Sequence, residues 1–175
     1  MTDQIAAEDP MRDRILRATF KVLCRHGYGK FNLSDVAAQA GISRPTLYKS
    51  FSSKDELLVA FSEFELTLLR DELAQAVDGR KGRARLNAVL QFLADFYSSY
   101  QMRGLIEIEP GLVLTQMGDA LPALGQLIAS ELTGQVSNPE VVAMTLVRLA
   151  ICHYLVPGYD DHRLLDQLRA AAGVR

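Results

Sequence analysis

Two short helices joined by a tight turn are encoded in residues 31–54, and this stretch constrains the possible fold more than any other. Asn32 is a favourable N-cap for the first helix, and Asp35 three residues later completes a weak capping box. Gly41 stands where a helix ends in the left-handed conformation, and Ser43 caps the helix that follows. The turn is therefore only about three residues long, which is the spacing of a helix-turn-helix.

The outer face of the second helix, about Arg44 to Phe51, is rich in hydrogen-bond donors and cations. Leu47 and Phe51 are four residues apart and pack inward, so most of the other side chains point outward. In a helix-turn-helix this helix enters the major groove of DNA, where Arg44 can bind a guanine bidentately. Tyr48 and Lys49 suit phosphates, which set the register on DNA. The predicted DNA-contacting residues are Ser43, Arg44, Pro45, Thr46, Tyr48, Lys49 and Lys54.

The next helix starts directly after this outer face and has its own cap. Ser53 and Glu56 have the spacing of a capping box, and Lys54 lies beside the helix N-terminus. Backbone N–H groups at a helix N-terminus favour a bound phosphate. Lys54 is therefore expected to contact the DNA backbone.

The charge of the chain is divided unevenly along the sequence. The whole chain is slightly acidic, with 19 basic and 21 acidic residues, but residues 11–54 hold nine Lys or Arg against only Asp13 and Asp35. Residues 1–10 and 55–175 are both acidic on balance. A basic module at one end of an acidic chain is the charge distribution expected when that end binds nucleic acid. The alternative, a helical protein-interaction module without specific DNA binding, does not explain this segregation.

A wider motif surrounds the helix-turn-helix. Its parts are a first helix ending in Gly-Tyr, an Ala-x-x-Ala-Gly turn, a Thr-Leu-Tyr helix and a following Phe-x-x-Lys. In this chain they stand as Gly27-Tyr28, Ala37 with Ala40-Gly41-Ile42-Ser43, Thr46-Leu47-Tyr48, and Phe51 with Lys54 and Leu57.

With this motif, residues 11 to 60 resemble the TetR-type transcriptional regulators. The departures are small: Asn32 stands where Thr is usual, Thr19 where a second Ala is common, and Leu23 where Phe is common. The resemblance implies an all-helical homodimer that binds a palindromic operator in double-stranded DNA. It also implies that a small ligand usually releases the protein from that operator.

Helical periodicity continues through the rest of the chain, and no strand-like alternation competes with it. Glycine and proline between Gln101 and Gly111 predict a kinked or broken helix there. The predicted helices outside residues 31–53 are Met11 to His26, Lys54 to Val77, Arg83 to Tyr100, Leu112 to Met117, Leu121 to Leu132, Pro139 to Val156 and Asp160 to Ala172.

We therefore expect an all-α fold of two domains. An N-terminal three-helix helix-turn-helix domain for DNA binding covers residues 11–54, after a flexible N-terminus at 1–10. A C-terminal helical domain for ligand binding and dimerisation covers residues 55–175.

Self-association is predicted by the last two helices. The helix from Pro139 to Val156 is apolar nearly all round, so its surface exceeds what one small domain covers easily. A membrane-spanning reading fails because Arg148 and His153 interrupt a run already shorter than the ~20 residues a bilayer requires. A homodimer without membrane contact is expected.

Enzyme chemistry is not predicted, and a small-molecule enzyme is the less favoured alternative. The three histidines lack metal-ligand spacing, and no Gly-rich phosphate loop, nucleophile elbow or zinc pattern occurs. We therefore expect no catalytic residue, metal or cofactor. Cys24 and Cys152 are far apart in sequence and no signal-peptide pattern is visible, which favours reduced thiols in the cytoplasm.

An effector pocket, if the C-terminal domain has one, is expected among its helices. Aromatic and methionine side chains adapt to apolar molecules, so an apolar or amphipathic effector is favoured. Glu107 lies in an apolar segment and could bind a cationic ligand or a donor, although a solvent-facing helix edge explains it as well. The candidate effector residues are Phe92, Phe96, Tyr97, Met102, Glu107, Leu112, Met117, Met144, Val147 and Ile151.

Overall fold

The computed structural model describes residues 9–99, 103–156 and 158–174, which are helical throughout apart from their connections and contain no strand. This confirms the predicted all-α class. The chain divides into two compact units between Glu65 and Leu66. The helices are α1 (Pro10–Lys30), α2 (Leu33–Ala40), α3 (Arg44–Ser50), α4 (Lys54–Val77), α5 (Gly82–Ser99), α6 (Arg103–Ile108), α7 (Pro110–Leu132), α8 (Pro139–Leu155) and α9 (Leu164–Ala171).

The helix ends of the N-terminal unit lie where the capping residues predict them. The Asn32 side chain accepts the backbone N–H of Asp35 at 2.9 Å and begins α2. Gly41 closes α2 in the left-handed conformation with φ 64°. Within α1, Gly27 adopts φ 73° and ψ 173°, so the regular helix is interrupted at the predicted residue. The fully buried core of this unit includes Ile15, Leu23, Val36, Leu47 and Leu57.

The core of the C-terminal unit is formed mainly by α5, α7, α8 and α9. Helices α7 and α8 approach closely at Gly125, where an added Cβ would lie 2.7 Å from the Met144 Cε. A larger residue at Gly125 would therefore have to displace the Met144 side chain. Residues buried in this core include Leu90, Leu132, Leu146, Tyr154 and Leu168.

The segment before Leu132 differs from the sequence prediction. The predicted break is confirmed, because Glu109 has non-helical backbone angles between α6 and α7. Leu112 to Met117 and Leu121 to Leu132 are helical as predicted, but the predicted separation between them is wrong, since α7 is continuous through Pro122. Pro110 starts α7 at a position where proline's missing N–H has no intrahelical partner to lose.

The start of the last helix also differs from prediction. The last helix was expected to begin at Asp160, but a short 3₁₀ turn at Asp161–Arg163 precedes α9. The Asp160 side chain accepts a hydrogen bond from Gln167 at 2.6 Å. Its carboxylate therefore contacts the middle of α9 instead of capping its start. In the described parts of the chain, no helix combines the length and apolar character needed to cross a bilayer.

Candidate nucleic-acid interface

Helix α3 is fixed at its start by two hydroxyl groups. Ser43 Oγ accepts the backbone N–H of Thr46 at 3.2 Å, which confirms the predicted N-cap. The Ser43 and Thr46 hydroxyl oxygens lie 2.7 Å apart and share a second hydrogen bond. Leu47 is fully buried and holds the inner face of α3 against the unit's core. The first turn of α3 is therefore ordered by its own side chains.

The predicted DNA-contacting residues on and before α3 share one outward surface. Ser43, Arg44, Pro45 and Lys49 are exposed, and Tyr48 is 53% exposed despite its aromatic ring. Thr46 is half-buried, and its hydroxyl is already bonded to Ser43. No acidic residue lies in α3. The surface can therefore present cations, hydroxyl donors and an apolar proline ring to a polyanion without repulsion.

The connection from α3 to α4 is held by reciprocal hydrogen bonds. Ser53 Oγ accepts the Glu56 N–H at 3.1 Å, as the predicted capping box requires. The return bond differs from prediction, because the Glu56 carboxylate accepts the N–H and O–H of Ser52, at 2.7 and 2.6 Å. These Ser52 bonds, aided by the charge of Arg12, lower the pKa of Glu56 below its ordinary value.

Lys54 is placed differently from the other six predicted residues. It is half-buried, and its Nζ donates a hydrogen bond to the Tyr28 carbonyl at 2.6 Å. The same Nζ lies 5.5 Å from the centre of the Phe31 ring. The ammonium therefore has partners within the protein, at the end of α1 and before α2.

Two more cations of the basic module lie over aromatic rings. The guanidinium of Arg12 is 4.6 Å from the centre of the Phe51 ring, and that of Arg17 is 5.5 Å from the Phe64 ring. Each pair joins α1 to a residue more than 30 positions further along the chain, so no spacing along a single helix predicts it. Cations of the unit that are exposed include Arg14, Lys21, Arg25, Lys30, Arg44 and Lys49.

A shallow groove between α1 and α2 was not anticipated from the sequence. Its volume is about 330 Å³, and its lining mixes cationic, acidic and amide side chains. Such a lining forms only when the two helices pack, so no sequence motif predicts it. The lining residues are Val22, Arg25, His26, Asp35, Ala38 and Gln39.

The candidate effector residues are only partly gathered by the C-terminal unit. On α5, the Phe92 and Phe96 rings stack with centres 6.0 Å apart, and the Phe96 and Tyr97 rings meet edge to face at 5.2 Å. Burial raises the pKa of the Tyr97 phenol above its ordinary value, so the group stays a neutral donor. Phe92, Phe96 and Met117 are partly buried against the core that contains Tyr97, Val147 and Ile151.

The other four candidates are placed differently from one another. Met144 packs over Gly125, as described above. Glu107 and Leu112 are exposed on α6 and α7. Met102 lies outside the described residues.

The cysteines and metal-ligating side chains show no assembled centre in the ranges that the structure describes. Cys24 and Cys152 are free thiols, the first half-buried and the second exposed. Burial, together with the Glu65 carboxylate, raises the pKa of the Cys24 thiol. Over those same ranges, no group of three or more His, Cys, Asp or Glu side chains is placed to hold a metal ion.

Comparison with protein families matches the N-terminal unit. Residues 15–61 match the family described as "Bacterial regulatory proteins, tetR family". The transcriptional activator FasR of Mycolicibacterium smegmatis is 34% identical over 89 residues, covering 50% of this chain and 41% of FasR. The transcriptional regulator AlkX of Mycobacterium tuberculosis is 26% identical, covering 90% of this chain and 81% of AlkX. The chain thus matches less than half of the length of FasR.

Solved structures extend the similarity of fold to both units. A TetR transcription regulator from Haloarcula marismortui has a TM-score of 0.71 at 18% identity, covering 93% of this chain and 96% of its own. SmeT, solved as a complex with triclosan, has a TM-score of 0.63 at 22% identity, covering 92% of this chain and 90% of its own. At these sequence identities the similarity shows a shared fold and nothing further.

Proposed function

We propose that this chain, whose residues 15–61 match the tetR family of bacterial regulatory proteins, regulates transcription by binding operator DNA through α3. The observation that carries the proposal is the outward surface of α3. It combines exposed Arg44, Tyr48 and Lys49 with a buried Leu47 and a start fixed by Ser43. A rigid helix that presents donors and cations, and no acid, fits the major groove.

The side chains of this surface divide into two roles. Arg44 reads a guanine through two hydrogen bonds, and Pro45 and Thr46 lie beside it at the first turn, where base edges are met. Ser43, Tyr48 and Lys49 contact the backbone and fix the register. Lys54 belongs to the predicted set by its sequence position, but its ammonium is already bonded to the Tyr28 carbonyl.

We also propose that two copies act together. Helix α8 and the turn after it leave apolar side chains in solvent: Val141 is 60% exposed, Val156 is 69% exposed and Tyr159 is 97% exposed. A second copy packed there by two-fold symmetry would bury them and pair two α3 helices. The operator is then a palindrome whose half-sites are about 34 Å apart, or somewhat more for a wider site.

A small apolar or amphipathic effector is proposed to release the protein from DNA, which is repression when the operator overlaps a promoter. The aromatic cluster of α5 at Phe92, Phe96 and Tyr97 offers the surface for such a molecule. The SmeT complex with triclosan supports a small-molecule effector in this fold. The effector must favour the DNA-free state by a few kcal/mol to act as a switch. We propose no catalytic role for the chain.

Selection from a random-sequence duplex pool tests the DNA proposal. The wild type is expected to enrich a palindrome. Arg44→Ala should lose the preference at one base pair in each half-site, about 10- to 100-fold in affinity, and keep most of its binding to a shuffled duplex. Arg83→Ala is the matched control, because Arg83 is an exposed arginine of the C-terminal unit. Weak, salt-sensitive binding without any enriched sequence would instead favour a protein-interaction module.

Sedimentation at equilibrium tests the homodimer. Val156→Asp should shift the protein toward monomer, because a carboxylate would be buried in the proposed interface. Val59→Asp is the matched control, since Val59 is 61% exposed on the part of α4 that belongs to the N-terminal unit. Equal association of both variants and the wild type would count against the α8 surface as the interface.

A further inference from the structure

Lys54 has an unfavourable place on its own helix. It is the first residue of α4, where the backbone N–H groups carry partial positive charge and repel a cation. Asp55 and Glu56 in the same turn suit that end, but a lysine does not. The ammonium of this half-buried residue is therefore expected to have a partner elsewhere.

The partner lies at the opposite end of another helix. The Lys54 ammonium donates to the Tyr28 carbonyl at 2.6 Å, just beyond the point where Gly27 interrupts α1. Carbonyl groups at a helix C-terminus lack intrahelical donors and attract cations. The charge that is unfavourable at the start of α4 is thus favourable at the end of α1.

An aromatic ring completes the site. Phe31 is 3% exposed, and the centre of its ring is 5.5 Å from the Lys54 Nζ. Phe31 directly precedes Asn32, the N-cap of α2. One side chain therefore joins the end of α1 and the entry to α2 to the start of α4.

We propose that Lys54 is a positioning residue, whose ammonium fixes α4 to the α1–α2 junction and thereby sets the orientation of α3. Helix α3 lies between α2 and α4 in the chain, and this contact joins the start of α4 to the entry of α2, so it ties together the two helices that flank α3. The inference rests on the proposed role of α3 in reading DNA. It assigns Lys54 a different task from the phosphate contact that its sequence position predicts.

Salt dependence separates the two tasks. A lysine that neutralises a phosphate contributes about one unit to the slope of log affinity against log salt concentration, and its removal lowers that slope. A positioning lysine leaves the slope unchanged. Lys49 provides the matched substitution, because it is exposed on α3 and belongs to the proposed backbone contacts.

The binding experiment compares Lys54→Met and Lys49→Met on a short mixed-sequence duplex and on the duplex enriched by the wild type. Lys49→Met should lower the salt slope by about one on both. Lys54→Met should keep the wild-type slope on both and lose about tenfold in affinity for the enriched duplex alone, since a charge-assisted hydrogen bond is lost. A slope lowered by Lys54→Met to the same extent as by Lys49→Met would overturn the inference.

Amide hydrogen exchange without DNA tests the same contact independently. Lys54→Met should speed exchange at residues 28–33 and in α3, Lys54→Arg should restore the wild-type rates, and Lys49→Met should leave residues 28–33 unchanged. Unchanged exchange in α3 of Lys54→Met would overturn the positioning role. If the wild type bound neither duplex, the proposed function would fail, while this exchange experiment would still decide whether Lys54 orders α3.

Discussion

The two units of the chain are built by different means. In the N-terminal unit, α2 and α3 have 8 and 7 residues, and each is fixed at its ends by short-range bonds such as those of Asn32 and Ser43. In the C-terminal unit, α5, α7 and α8 have 18, 23 and 17 residues and are held by apolar contacts within one core. Helices as short as α2 and α3 have little stability alone, so they depend on caps and on a few buried anchors.

This difference fits the proposed division of tasks between DNA binding and effector binding. A helix that reads DNA must present Arg44 and its neighbours at a fixed angle, which short, capped helices provide. The aromatic and methionine side chains of the C-terminal unit can rearrange with less loss, as an effector site requires. The basic charge of residues 11–54 lies entirely within the N-terminal unit. Single substitutions matched between the units can test it.

The largest effect is expected from Leu47→Ala, which removes the buried anchor of α3. A cavity in place of a fully buried leucine destabilises a protein by about 2–5 kcal/mol. Urea unfolding followed by circular dichroism measures this. Leu146→Ala, at an equally buried leucine of α8, should lower stability in the same range but leave the exchange of α3 amides unchanged. If both variants affected α3 equally, the two units would not be independently built.

The next effect compares two asparagine N-caps. Asn32 accepts its backbone N–H at 2.9 Å, whereas Asn138 of α8 accepts that of Val141 at a longer 3.4 Å. Asn32→Ala should therefore lower the free energy of unfolding by about 1–2 kcal/mol, and Asn138→Ala by about 0.5 kcal/mol. Equal losses in urea unfolding would contradict the view that capping is stronger in the N-terminal unit.

Alanine substitutions at two glycines should change the stability of the protein in opposite directions. Gly41 has φ 64°, so Gly41→Ala strains the turn and should cost about 1 kcal/mol. Gly118 lies inside α7 with no atom within 4 Å of an added Cβ, and Gly118→Ala should stabilise by about 0.5–1 kcal/mol. Thermal unfolding of both variants measures the signs. A destabilised Gly118→Ala would indicate that α7 is not continuous at that point.

The smallest effect is a pH dependence in the α3–α4 connection. Because the folded-state pKa of Glu56 is lowered by Ser52, its contribution is fully present above its ordinary pKa of about 4.3 and is lost as the pH falls through the lowered value. Glu56→Gln should therefore reduce the acid dependence of stability below about pH 4.5. Urea unfolding at a series of pH values measures this, and Glu140→Gln, an exposed glutamate in the first turn of α8, is the control.

The sequence predicts the helix ends of the N-terminal unit more closely than the helices of the C-terminal unit, for a physical reason. Asn32, Gly41 and Ser43 act on backbone groups within three residues, so their effect is visible in the sequence and the ends of α2 and α3 were predicted to within a residue. The continuity of α7 through Pro122 depends on packing along the helix, where proline alone predicts a break.

Contacts between residues that are distant in sequence are not predicted by such local rules. The bond from Lys54 to the Tyr28 carbonyl spans 26 residues, and the pair of Arg85 on α5 and Glu131 on α7 spans 46 residues. No periodicity along one helix encodes such pairs. For the candidate interface, the sequence therefore identifies which residues lie on α3, while the structure is needed to place Lys54 apart from them.

The most direct test of the account is amide hydrogen exchange of the full chain with and without the duplex that it enriches. We predict that the largest protection on adding DNA occurs at residues 43–50, and that Arg44→Ala reduces this protection. Protection greatest within residues 110–156, with residues 43–50 unchanged, would contradict the assignment of DNA recognition to α3.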